Sequence, residues 1–201
     1  MSSAVLIPAE QTAEGVRRVR FTRAEVERLE NLGAFEGKQV ELIDGELIDK
    51  MGQNPTYAQA IRRSRIALGK VLDPDLIQIQ VPIEVSVEDG ESNLPQPDLY
   101  ALGEDKPDYN KRHPRGDEVL LVIEVADTSA AFDLGRKATL YARAGVPEYW
   151  VLDLGRRRLV VHRQPQGGEY NLRQFFGESD NLTLEGRSEQ IRVADLLPQT
   201  V

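Results

Sequence analysis

The chain contains no cysteine. Disulfides and thiolate metal sites are therefore excluded, and stability must come from an ordinary apolar core. No stretch approaches the ~20 consecutive apolar residues that a bilayer-spanning helix requires. The opening MSSAVLIPAE lacks the basic start and long apolar run of a signal peptide, so a soluble, cytoplasmic protein is expected. There are only two histidines, His113 in a charged loop and His162 in an expected surface strand, and they make a poor zinc pair. Basic charge is also short: 33 acidic against 25 basic residues give a formal charge of −8. A protein that coats nucleic acid by charge alone needs the opposite balance. A small basic face is still compatible with that charge, and some of the acids can belong to a cation site.

With 201 residues and 40% hydrophobic content there is enough chain for one sizeable core. The expected organisation is a polar lead-in over residues 1–20 and a single domain over residues 21–201. Thr22 and Glu25 stand at capping-box spacing and Gly33 supplies a stop, which predicts a helix from Arg23 to Leu32. Asp44-Gly45 in VELIDGELIDKM is a hairpin signal. From Thr56 to about Leu72 the apolar residues Tyr57, Ile61, Leu68 and Leu72 recur at helical spacing. IQIQVPIEVSV alternates, placing Ile79, Val81, Ile83, Val85 and Val87 on one face of an expected strand, with Pro82 at an edge or bulge. QPDLYAL is the next strand, followed by a charged loop over 103–117. LVIEVADTS then reads as a buried strand, residues 130–144 as a helix ended by Gly145, and EYWVLD as a strand reached by a parallel crossover. A hairpin around Gly167-Gly168 and a tail with one short strand complete the expectation.

Glu124 is the anomaly, because it sits in an otherwise apolar run, Val119 to Val125, that should be covered on both faces. An ionised carboxylate in such a place needs a partner, hydrogen bonds or a metal. Asp98, after Pro97, lies in a short strand one loop earlier, so the two acids can meet on neighbouring strands ~4.8 Å apart. Two carboxylate ligands with the remaining positions left to water or phosphate suit Mg²⁺ or Mn²⁺. The competing reading is that Asp98 shapes a turn after its proline. Lys137 shares a helix face with Leu134 and Tyr141 and so points toward the sheet, where it can hold a phosphate or orient a water. The alternative is that its stem lies along the stripe and its charge reaches solvent.

These stretches, QPDLYAL, LVIEVADTS, DLGRKATLYARAGVPEYWVLD and the earlier VELIDGEL, resemble the Uma-type family of restriction endonuclease-like proteins within the PD-(D/E)XK nuclease superfamily. The resemblance runs from about Val40 to Arg163. It implies a three-layer α/β restriction-endonuclease-like fold, with a mixed central sheet flanked by helices and a divalent metal, Mg²⁺ or Mn²⁺, held by acidic side chains. By the same resemblance Asp98 is the PD aspartate, Glu124 the second acid and Glu41 the early glutamate of the acidic cluster, all three being metal ligands. Two departures stand out. The position two residues after the acid, where the superfamily usually has its lysine, is Ala126, so Lys137 looks like a migrated lysine from the following helix. Tyr57 stands where family members often carry histidine.

The activity implied is metal-assisted hydrolysis of DNA phosphodiesters, with Glu41, Asp98, Glu124 and Lys137 as the site. Two other readings compete: a catalytically silent relative that binds nucleic acid or a protein partner, and a glycosidase built on paired carboxylates. The second wants aromatic sugar platforms, and 6% aromatics with one tryptophan supply few. Arg156, Arg157 and Arg158, with Arg62 and Arg63, are candidate phosphate contacts or simply solvated charges. Glu148 reads as a solvated strand-start charge or as an outer member of the site. Monomer and homodimer are both open on the sequence.

Overall fold

The computed structural model describes residues 18–50 and 54–199. Of the expected lead-in, only residues 18–20 fall within them. The chain divides into two compact units, one formed by residues up to 51 together with 87–95, the other by residues 52–86 together with 96–201.

The first unit holds helix α1 (Arg23–Asn31) and the hairpin β1 (Val40–Ile43) to β2 (Glu46–Asp49). Thr22 and Glu25 form the predicted reciprocal cap: the Thr22 amide donates to Glu25 Oε2 at 2.9 Å and the Glu25 amide to Thr22 Oγ1 at 3.3 Å. The hairpin turns on Asp44 (φ 48°) and Gly45 (φ 77°), the paired left-handed conformations that a two-residue turn demands. Gly45 is required twice over, since a Cβ there would lie 2.8 Å from Arg20 Cβ. Residues 87–95 close the unit, with the Asn93 side chain accepting from the Asp44 amide at 2.7 Å and Leu94 bridging to Leu42.

The second unit is a six-stranded mixed sheet in the order β3-β4-β5-β6-β7-β8. Its strands are β3 (Ile77–Ile79), β4 (Leu99–Leu102), β5 (Val119–Ala126), β6 (Glu148–Asp153), β7 (Arg158–Gln166) and β8 (Glu169–Gly177). Only β5 and β6 run parallel, joined by the helical crossover; the other pairs are antiparallel. Strand residues alternate between faces, and one face carries the main core. Leu121, Ile123 and Val125 of β5, with Trp150 and Leu152 of β6, pack there against Ala60, Ile61, Ala67 and Leu68 of helix α2 (Pro55–Leu68). The same core takes in a short terminal hairpin, β9 (Asn181–Thr183) with β10 (Gln190–Arg192), and the single turn α5 (Val193–Leu196). The other face carries Val122, Glu124, Tyr149 and Val151, over which the crossover lays Leu140 and Tyr141. A three-layer α/β arrangement results, as the family resemblance implies.

Three expected elements differ, the first being the tail, which forms the β9–β10 hairpin and α5 in place of one short strand. The alternating run from Ile77 to Val87 forms a strand only to Ile79, because Gln80 adopts a left-handed φ of 53° and Pro82 has no amide to donate. Ile83 and Val85 remain buried, but Val87 is 98% exposed. The crossover is not one regular helix either. It comprises α3 (Ala130–Phe132), a π-helical turn over Asp133–Lys137, and α4 (Ala138–Arg143). Among the described residues no helix is long and apolar enough to cross a membrane.

Candidate active site

Asp98 immediately precedes β4. The β4–β5 ladder pairs Leu99 with Ile123, so one further step of the antiparallel register sets Asp98 opposite Glu124. Backbone pairing stops there and the Asp98 side chain takes over, its Oδ2 accepting the Val125 amide at 2.7 Å. The two acids are thus fixed on one end of adjacent strands, and both are buried, at 2% and 1% exposure.

The second oxygen of Asp98 accepts a hydrogen bond from the Tyr57 hydroxyl, which in turn receives Gln80 Nε2 at 3.3 Å. Tyr57 reaches this point because Asn54 caps α2, accepting the Tyr57 amide at 2.9 Å through Oδ1. The cap is tied down by Asn54 Nδ2 donating to Asp127 Oδ2 at 2.7 Å, just beyond the end of β5. Gln80 is positioned by its own unusual backbone: its amide donates to the Asp98 carbonyl at 3.2 Å, and its carbonyl accepts Gln96 Nε2 at 2.7 Å. Burial, followed by the charge of Asp98, pushes the Tyr57 phenol far above its ordinary range. Tyr57 therefore stays protonated and acts toward Asp98 as a donor.

Glu124 finds its partners on the crossover. Lys137 Nζ donates to Glu124 Oε1 at 2.9 Å and the Tyr141 hydroxyl to the same oxygen at 2.7 Å. Lys137 is itself only 2% exposed, so its charge does not reach solvent. It stands 3.9 Å from Asp133 Oδ1, and Asp133 is held by Ser129 Oγ at 2.5 Å. The Tyr149 hydroxyl donates to the Asp133 carbonyl at 2.9 Å, anchoring the π turn to the sheet. A π turn is wider than an α turn, and such turns recur at functional sites. Here its two ends, Asp133 and Lys137, are both buried.

The structure brings together Asp98, Glu124 and Lys137. Glu41 lies on β1 of the first unit, where it is 3% exposed. No group of three or more histidine, aspartate or glutamate side chains is gathered as a cation site among the described residues. Tyr141, Gln80 and Asp133 were not singled out for the site from sequence. Asp133 and Tyr141 gave a signal, standing four residues before and four after Lys137 on one helical face, and Gln80 gave none. Glu148 belongs to the opposite face of the sheet. It is 1% exposed, bound by Trp150 Nε1 at 2.7 Å and Arg163 at 2.6 Å, and so is neither solvated nor part of the site. His162, expected on the surface, is buried between Tyr149 and Tyr170. Of the arginine triplet, Arg157 turns to Glu178, while Arg156 and Arg158 both contact Asp153.

A sequence-family model described as "Putative restriction endonuclease", Uma2, matches residues 23–194. The chain belongs to the Uma2 family. Among solved structures it is similar to a "putative nuclease belonging to DUF820" from Anabaena variabilis, at 14% identity and a TM-score of 0.64, covering 88% of this chain and 97% of that one. At that identity the likeness concerns the fold, and it agrees with the mixed sheet and flanking helices described above. No curated protein matches the sequence. The Uma2 match spans every residue of the Asp98–Glu124–Lys137 arrangement, as well as Glu41.

Proposed function

We propose that this Uma2 protein is a divalent-metal-dependent endonuclease that hydrolyses phosphodiester bonds of DNA. One observation carries the reading: two buried carboxylates meet at the end of adjacent strands, with a buried lysine beside one of them. Family and fold support a nuclease; the metal is inferred from the chemistry of the donor set, and DNA as substrate from the family resemblance.

That donor set fits Mg²⁺ or Mn²⁺. Asp98 and Glu124 offer hard carboxylate oxygens, the chain has no thiolate, and neither histidine belongs to the site. Asp98 and Glu124 would hold the ion. When bound, the metal supplies Lewis-acid activation of the phosphoryl group and of a water. The chain's own groups do the rest. Val125 N and Tyr57 fix the Asp98 carboxylate, and Tyr141 fixes that of Glu124. Lys137 Nζ, a cation confined to a water-poor site, can stabilise the negative charge that develops on phosphate and can orient the attacking water.

A second reading is a silent nuclease-fold module that binds nucleic acid or a protein. It draws support from the satisfaction of both carboxylates by protein donors, a pattern also expected of a purely structural network. Plasmid nicking with Mg²⁺ or Mn²⁺ by wild type and Asp98→Asn separates the two. Nicking by wild type that disappears in the variant supports the nuclease, whereas equal nicking, or none by either, removes it.

A further inference from the structure

Glu124 begins a register row that crosses four strands. It pairs with Val151 on β6, Val151 with Val160 on β7, and Val160 with Phe175 on β8. Directly opposed residues project from the same face of a sheet, so Phe175 shares a face with Glu124. Three inter-strand steps of ~4.8 Å put the two positions ~14 Å apart. Val151 and Val160 are fully buried, whereas Phe175, on the outermost strand, is 53% exposed.

Phe175 is clad in arginine. The Arg158 guanidinium lies 5.1 Å from its ring centroid and that of Arg173 5.4 Å. Arg158 is held from below as well, Nε donating to Asp153 Oδ2 at 3.2 Å. Asp153 is buried and also receives the Arg156 amide at 3.0 Å and Arg156 Nη1 at 3.4 Å, so one carboxylate orders two arginines. The neighbouring acids face elsewhere: Asp180 accepts the Gly177 amide at 2.7 Å, and Glu178 pairs with Arg157. Among the described residues, the terminal nitrogens of Arg158 make no hydrogen bond, and the guanidinium of Arg173 makes neither a hydrogen bond nor an ion pair. Arginines on an exposed ring often serve only to cover it. Here the ring and Asp153 pre-order side chains that otherwise carry about 2 kcal/mol of rotamer entropy each, and their donors remain available. On a chain of net charge −8, such a cluster is a local exception.

We infer that Arg158, Phe175 and Arg173 form a contact surface for the sugar–phosphate backbone of a nucleic acid seated at the Asp98–Glu124–Lys137 site. This rests on the nuclease reading of that site. The separation of ~14 Å corresponds to about four base-pair rises of ~3.4 Å, so a duplex cut beside Glu124 has phosphates at the right distance to meet these arginines. Guanidinium groups match phosphate oxygens in a planar, two-pronged fashion.

The test is fluorescence anisotropy of a short labelled duplex and its single strand, without divalent metal, across a salt series. Wild type, Arg173→Ala and Phe175→Ser are compared with Arg65→Ala, an exposed arginine on α2. The patch variants should bind about three- to tenfold more weakly at low salt, and Arg173→Ala should lower the salt slope by about 1, the signature of one lost phosphate contact. Arg65→Ala should match wild type. Patch variants that bind like wild type overturn the inference. If such variants also nick plasmid normally, the nuclease reading survives that failure. Patch-dependent binding by a wild type that never nicks leaves the surface standing and removes the nuclease. Sedimentation completes the test: a dimer that Phe175→Ser splits without changing affinity for nucleic acid would make the face a contact between copies, against the inference.

Discussion

Lys137 Nζ lies 2.9 Å from Glu124 Oε1, with the two side chains 3% and 2% exposed. The anomalous acid of the apolar strand is therefore answered by the anomalous lysine of the next helix. A buried pair of this kind need not add stability over an apolar pair, but removing one partner strands the other charge without compensation. The pair also fixes the Glu124 carboxylate on the strand end beside Asp98.

The first prediction follows for stability. Lys137→Met keeps the stem's volume yet takes the ammonium away from the buried Glu124 carboxylate, and should cost about 3–5 kcal/mol. Glu124→Gln retains an acceptor oxygen and should cost less. The double variant should cost less than the sum of the singles by about 1–3 kcal/mol, because neither charge is then left alone. Urea unfolding of the four proteins gives the coupling, and strict additivity would show that Lys137 answers to another partner. At a temperature where all four are folded, Lys137→Met should cut nicking ~100-fold or more if its charge stabilises the transition state.

Tyr57→Phe isolates the other end of the site. It removes the hydroxyl that Asp98 accepts and the acceptor for Gln80, while keeping the ring's packing. A loss of about 1.5–3 kcal/mol is expected, typical of one hydrogen bond to a charged group. Nicking should stay within about tenfold of wild type, whereas Asp98→Asn removes it, because Tyr57 positions the ligand without being one. Thermal unfolding and nicking on the same preparations check both parts. A Tyr57→Phe protein as inactive as Asp98→Asn would give the hydroxyl a direct part in the reaction.

The Asp98–Glu124 juxtaposition was legible in sequence because it is nearly local: two strands separated by one loop, in a register fixed by apolar alternation. The inward placement of Lys137 followed from helical spacing, although the π turn at Asp133–Lys137 did not, since periodicity cannot distinguish a wider turn from a regular one. Tyr57 over Asp98 was beyond reach, because 41 positions separate them and only the docking of α2 on the sheet joins them. Gln80 hid for a different reason: hydrophobic alternation reports burial, not the sign of φ, so IQIQVPIEV looked like one strand. Glu148 misled because its partner Arg163 appears only when the β6–β7 register is drawn.

Glu148 supports a third prediction, set on the face opposite the site. Its carboxylate only accepts, from Trp150 Nε1, from Arg163, and from the Glu185 amide at 2.8 Å. Glu148→Gln turns an amide NH₂ toward a donor and leaves Arg163 without its counter-charge, a change expected to cost about 3 kcal/mol or more. Nicking per folded molecule should not change. A melting temperature close to wild type, or activity lost from fully folded protein, would contradict the structural role.

His162 sets the pH dependence. It stacks between Tyr149 and Tyr170, with ring centroids at 5.4 and 5.6 Å, and no well-formed hydrogen bond reaches either ring nitrogen. Burial pushes the imidazole down to about 4; the Tyr149 backbone opposes this only in part, and nearby Arg173 reinforces it. The unfolded chain, with an ordinary imidazole near 6.5, thus binds more protons than the folded one between about pH 6.5 and 4. Stability contributed by the neutral ring is therefore complete above about pH 6.5 and is lost as pH falls toward 4. The full loss is on the order of 3 kcal/mol, because each pH unit that separates the folded from the unfolded imidazole is worth ~1.4 kcal/mol. His162→Phe keeps an aromatic ring in the stack and removes the titration. Urea midpoints measured from neutral pH down to about 4 should fall more steeply for wild type than for the variant. Parallel pH profiles would mean that His162 takes up its proton in the folded protein at the same pH as in the unfolded chain, and that burial does not depress it.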